Sequence, residues 1–224
     1  MRSGRTVAGI DIGGNRKGNH LVIMRGREIV WNNPRRETPE QMLEKCLEFE
    51  VKAVGIDAPC QWRGNEAGRL AEKELARQRI FSFATPTRET AVASKSGFYE
   101  WMFNGERVYQ AFAPHFSLFK NGGERADRVC FETFPHAIAT ALLKTEVASA
   151  KQKRTQRRRV LEDAGIDATS LKSIDEVDAG LCALTANFLI DERFVAYGDE
   201  LGGFIVVPAL DLNRVGIVNG DSVA

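Results

Sequence analysis

None of the four cysteines, Cys46, Cys60, Cys130 and Cys182, lies near enough to another to form a CxxC pair. That spacing excludes zinc-finger ligation and gives no sign of a disulfide scaffold, so reduced and mostly buried thiols are expected. The chain has no run of about 18 apolar residues, and no apolar stretch follows the N-terminal Met-Arg-Ser-Gly-Arg. A soluble cytoplasmic protein with no membrane contact is the expectation. Histidine is scarce too: His20, His115 and His136 are scattered, with no pairing to Cys or Ser that suggests a nucleophilic triad. Neither a GxGxxG fingerprint nor a GxxxxGK(S/T) loop is present, which removes the two commonest nucleotide-binding signatures. There is no internal repeat and no low-complexity linker.

What remains is a 224-residue chain of ordinary globular composition, 43% hydrophobic and 27% charged. Its length suits a single domain over 1–224 with an insertion at about 60–127. The net charge of +1 hides an uneven distribution. Residues 151–159 carry six bases and no acid, whereas residues 160–224 carry three bases and 12 acids. A basic face beside a carboxylate-rich site is one meaning of such asymmetry, and differently solvated surfaces are the other.

Val7 to Ile12, His20 to Met24 and Glu28 to Trp31 read as three strands joined by Gly-rich turns, hence an antiparallel meander. Thr38, Pro39 and Gln41 form a capping box with Pro at the first helical position, opening a helix to Phe49. Ala53 to Asp57 is a short apolar strand stopped by Pro59. A right-handed crossover would return it parallel to the first strand. A charged helix over Arg69 to Arg79, a strand over Arg128 to Thr133 and a small apolar helix to Leu143 follow. Lys151 to Ala164 is helical and ends at Gly165. Ser173 and Glu176 start a helix running to Ile190, and a hairpin of Phe204 to Val207 with the stretch near Tyr197 closes the chain.

Asp11 sits between Ile10 and Ile12, and Asp57 ends Val54-Gly55-Ile56. A carboxylate in an apolar strand is costly to bury unless it is paired or metal-bound. If the two strands are parallel neighbours, both acids reach one end of the sheet. Asp175 and Asp178 share a face at the start of the late helix, where capping alone would also explain them. Glu132 is a further acid within a strand. Converging carboxylates repel one another without a cation, and hard oxygen ligands favour Mg²⁺ or Mn²⁺. Two such ions about 4 Å apart suit in-line hydrolysis of a phosphodiester.

The stretches Gly9-Ile10-Asp11-Ile12-Gly13-Gly14 through Lys17-Gly18, Val54-Gly55-Ile56-Asp57-Ala58-Pro59, Glu132-Thr133-Phe134-Pro135 and Asp178-Ala179 together resemble an uncharacterised family of predicted nucleases, one of the domains named only as being of unknown function. The resemblance implies an RNase H-like fold: a mixed α/β sheet, with an antiparallel meander plus parallel strands, flanked by helices and carrying a helical insertion. It also implies metal-binding roles for Asp11, Asp57 and Asp178. Asp175-x-x-Asp178-Ala179 is similar to the paired acids on the last helix of Holliday-junction resolvases of that superfamily. Many of its nucleases carry Glu where this chain has Asp57.

On these readings the catalytic candidates are Asp11, Asp57, Asp178 and Glu132, and the metal candidates are Asp11, Asp57, Asp175 and Asp178. Lys17, Lys153, Arg154, Arg157 and Arg158 are the candidates for holding nucleic acid, the last four as neighbouring rows of one helix. Asp-x-Gly-Gly also resembles the first phosphate loop of sugar kinases, although a plain hairpin turn explains the glycines equally well. Residues 81–119 hold ten of the 19 aromatics. They read as the core of the insertion or as base-stacking rings. The leading function is a metal-dependent nuclease. The alternatives are a non-catalytic module binding nucleic acid or protein, and a sugar-kinase-like nucleotide-binding protein. DNA, RNA or branched substrate, and a homodimer, stay open.

Overall fold

Thr6–Ile12 (β1) is buried along its whole length, because it lies in the interior of the sheet and helices cover both of its faces. The structure is a computed structural model and describes residues 4–33, 36–64, 67–122, 126–143 and 148–210. Asn19–Arg25 (β2) and Glu28–Asn32 (β3) complete the antiparallel meander. Pro39–Glu48 (α1) begins with the expected capping box: Thr38 Oγ1 accepts from Gln41 N at 3.3 Å, and Gln41 Oε1 accepts from Thr38 N at 2.9 Å. The crossover returns the chain as Ala53–Asp57 (β4), parallel to β1 as expected.

Leu70–Arg77 (α2), Arg88–Ala93 (α3), Glu100–Phe112 (α4) and the two-residue Ser117–Leu118 (β5) lie between β4 and Val129–Glu132 (β6). Of these four elements only α2 was legible as periodicity. Pro135–Leu142 (α5), Lys153–Asp163 (α6) and Ile174–Ile190 (α7) follow, and Phe194–Asp199 (β7) pairs with Gly203–Pro208 (β8) as the terminal hairpin. The sheet order is β3-β2-β1-β4-β6-β8-β7, with β5 added beside β6. A meander continued by parallel β4, β6 and β8 and flanked by helices is the mixed, RNase H-like sheet expected from the sequence. Among the described residues, no helix is long and apolar enough to cross a membrane.

Two cores lie on opposite faces of the sheet. On one, Ile10, Leu21, Ile23 and Ile56 meet Met42 and Cys46 of α1 and Val108 and Phe112 of α4. On the other, Val7, Val22 and Phe131 meet α7, which α6 covers in turn through Val160 and Leu161. Helix α7 is buried on nearly every side, in keeping with its run of small and apolar residues.

Its backbone lies directly on the sheet at two glycines. A Cβ at Gly9 would stand 2.0 Å from Ala179 O and 2.2 Å from Ala183 N, and one at Gly55 would stand 2.5 Å from Cys182 O. Gly9 and Gly55 are register partners on β1 and β4, and two residues further along the same face come Asp11 and Asp57, also partners. The missing side chains thus seat α7 low and set its first turns beside the two acids.

Candidate active site

Asp11 and Asp57 project from adjacent parallel strands, and Asp178 enters from the second turn of α7, next to the Ala179 that rests on Gly9. Asp11 and Asp178 are 9% and 6% exposed. Burial raises the Asp11 carboxyl well above the ordinary range, and the neighbouring Asp57, Asp178 and Asp175 add to the effect. Burial, then the Asp178 charge, pushes Asp57 up to about 7, against the pull of Arg157. Burial also takes Asp178 up to about 6, again opposed by Arg157. The side-chain contact between the two carboxyls raises Asp11 further and lowers Asp57.

Helix α6 supplies the counter-charge. Arg157 pairs with Asp178 Oδ2, and both side chains are largely buried. The other oxygen, Asp178 Oδ1, is buried without a hydrogen-bond partner. Asp175, one turn earlier, stands at the rim, where Lys17 Nζ approaches its oxygens at 3.2 and 3.4 Å and His20 Nε2 lies 3.9 Å away. Four of the expected site acids therefore meet at one end of the sheet. Among the described residues no three His, Cys, Asp or Glu side chains are gathered tightly enough to hold an ion as they stand. The donor set itself suits a hard divalent cation: carboxylates from three elements, two of them buried, and one oxygen with no partner.

Glu132, the fourth catalytic candidate, is held in a buried ion pair away from the other acids. Arg69 grips both its oxygens, Nη1 to Oε1 at 2.9 Å and Nη2 to Oε2 at 2.5 Å, while Cys60 N donates to Oε2 at 2.9 Å. Arg69 Nε also donates to Gly202 O at 2.7 Å, tying β6 to the β7–β8 turn. The pair is buried, at 2% and 5% exposure. No sequence signal links Arg69 to a strand acid 63 residues on.

The basic helix divides its charges. Arg157 turns to the acids, whereas Arg158 donates to Ala168 O and Leu171 O, both at 2.6 Å, and holds the loop before α7. Arg158, a candidate for holding nucleic acid, is thus engaged with this loop. Lys153 and Arg154 remain exposed. The glycine loop closes on itself: Gly13 N donates to Gly18 O, and Lys17 N and Gly18 N both donate to Gly14 O. Asn15 N is taken by the Glu100 carboxylate at 3.2 Å, and Asn104 Nδ2 donates to Gly13 O at 2.7 Å. With those amides spent, and Gly18 at φ +76°, the loop is a hairpin turn rather than a phosphate cradle. His20, Arg69 and Asn104 are the site neighbours that sequence reasoning missed. Of these only His20 could have been found, from its cross-strand pairing with Asp11.

Residues 9–201 match the family described as a protein of unknown function, DUF429, and the chain belongs to that family. No curated protein matches it. Among solved structures, one titled "Thermus thermophilus RuvC structure" is 16% identical with a TM-score of 0.44, over 84% of this chain and 95% of that one.

Proposed function

We propose that this member of the DUF429 family is a divalent-metal-dependent nuclease that hydrolyses phosphodiester bonds of nucleic acid. The observation that carries the reading is the meeting of Asp11, Asp57 and Asp178 at one sheet end, with Asp11 and Asp178 buried, Asp57 partly so, and Asp178 Oδ1 left without a partner. Buried acids so poorly neutralised raise the cost of folding, which a cation removes. Asp11, Asp57 and Asp178 would hold Mg²⁺ or Mn²⁺, with Asp175 at the rim. The bound cation supplies Lewis acidity at the phosphodiester and activation of the attacking water.

The chain's own residues do the rest. Arg157 holds Asp178 by one oxygen and leaves the other without a partner. Lys17, beside Asp175, is placed to meet a phosphate at the rim, and Lys153 and Arg154 face solvent where a nucleic-acid backbone would approach. The Arg69–Glu132 pair fixes the end of β6 that flanks Asp57. A non-catalytic module with the same fold has one observation in its favour, since Arg157 is already paired with Asp178. The closed glycine loop gives no such support to the sugar-kinase alternative.

The test is incubation of pure protein with single-stranded, duplex, hybrid and branched substrates in Mg²⁺ or Mn²⁺, beside Asp57→Asn. Cleavage is expected only with metal and only in the wild type. Cleavage that persists in the variant comes from a contaminant and sinks the assignment.

A further inference from the structure

The rings of the insertion are not all core. Phe83 and Phe98 pack together with centroids 5.5 Å apart, yet stay 40% and 56% exposed. Phe83 continues inward to Trp101, whose ring lies edge-on to it at 5.7 Å. Phe83 and Trp101 then wall a cavity of about 110 Å³ whose lining also includes Pro59, Thr133, Phe134 and, at the acid centre, Asp57. An aromatic step thus descends from solvent into a small cavity, walled by rings on one side and by Glu72 and Glu132 as well as Asp57 on the other, that ends on a proposed metal ligand.

We propose that this step and cavity receive an unstacked nucleobase of the strand being cut, so that the substrate is single-stranded nucleic acid or a duplex with an extruded base. The inference rests on the nuclease reading of the acid centre. A base suits the cavity because Asp57 lines it, so a nucleotide whose phosphate lies at the acid centre can place its base there. Flat π-faces stack on exposed phenyl rings whatever their sequence. A base inside an intact duplex cannot enter, since its faces are covered by its neighbours.

The test is binding of a short labelled single strand, the same strand with an abasic site, and the blunt duplex, all without metal so that nothing is cut. Phe83→Ala and Phe98→Ala should each weaken single-strand binding by about five- to a hundred-fold, and leave duplex binding unchanged. Phe83→Tyr should keep the wild-type affinity, and the abasic strand should bind the wild type more weakly. Both phenyls are partly exposed, and a thermal melt of each variant confirms folding. Unchanged single-strand affinity in both Ala variants, or an abasic strand that binds as well as the intact one, overturns the proposal and leaves the rings to an apolar protein partner. If the wild type still cleaves in that case, only this inference fails. If it neither binds nor cleaves any nucleic acid, the nuclease reading fails with it.

Discussion

Asp57→Asn should stabilise the metal-free protein. In the folded state the Asp57 carboxyl is raised from 3.8 to about 7, chiefly by burial. A carboxyl whose folded value is raised contributes stability that is fully present below the unfolded value and is lost as pH rises through the folded one. At about 1.4 kcal/mol per unit, keeping this group ionised in the folded state costs roughly 4 kcal/mol at about pH 8. Asn is nearly isosteric, carries no charge and can still accept the hydrogen bond from Asp11. Part of the gain is lost because its amide must find an acceptor, so a net stabilisation of about 1–3 kcal/mol is expected. In a chain of this size that is a rise in Tm of roughly 3–10 °C. Denaturant unfolding in EDTA at about pH 8 and again near pH 4 is the assay, and the difference should shrink towards zero at the lower pH, where the wild type is protonated. A variant less stable than the wild type at both pH values would show that Asp57 is a satisfied structural carboxylate, and would refute the reasoning.

Arg157→Gln leaves Asp178 buried without its counter-charge, so the metal-free protein should lose about 3 kcal/mol in denaturant unfolding, and Mn²⁺ should restore part of the loss. An unchanged midpoint would mean that the pair contributes nothing. Gly9→Ala drives a methyl into the backbone of α7 at Ala179 and Ala183, and should cost more than about 3 kcal/mol or prevent folding. Wild-type stability there would contradict the low seating of the helix. Arg69→Met alone should cost about 3–5 kcal/mol, while Arg69→Met with Glu132→Gln recovers most of it, because an unpaired buried charge is worse than none. Strictly additive losses in that double-mutant cycle would argue against a coupled pair.

The strands and the site acids on them were legible because burial on both faces writes continuous apolar runs, in which Asp11 and Asp57 stand out. Both capping signals marked true helix starts, although Ser173 makes only half a box: Glu176 turns to Lys172 N in place of the cap residue. Helix α4 was not legible. Its buried positions include Asn104 and Gly105, whose roles are set by Gly13 and Ala58, the residues just past the ends of β1 and β4. Arg157 and Arg158 show the limit most clearly, since adjacent residues of one basic run go to an acid centre and to two loop carbonyls. Helical spacing gave the rows, but only the packing of α6 against α7 decides which row meets the acids. Glu132 looked like a site acid for the same reason as Asp11, a carboxylate in an apolar strand, and only the tertiary fold supplied its arginine.

The central claim, that Asp11, Asp57 and Asp178 form one cation site, is tested most directly by Mn²⁺ binding followed by electron paramagnetic resonance at neutral pH. The wild type should take up Mn²⁺ and show a matching rise in Tm, while Asp11→Asn, Asp57→Asn and Asp178→Asn each lose the bound ion and the Tm response, with their folds intact. Mn²⁺ bound equally well by all three variants, or not bound by the wild type, would contradict it.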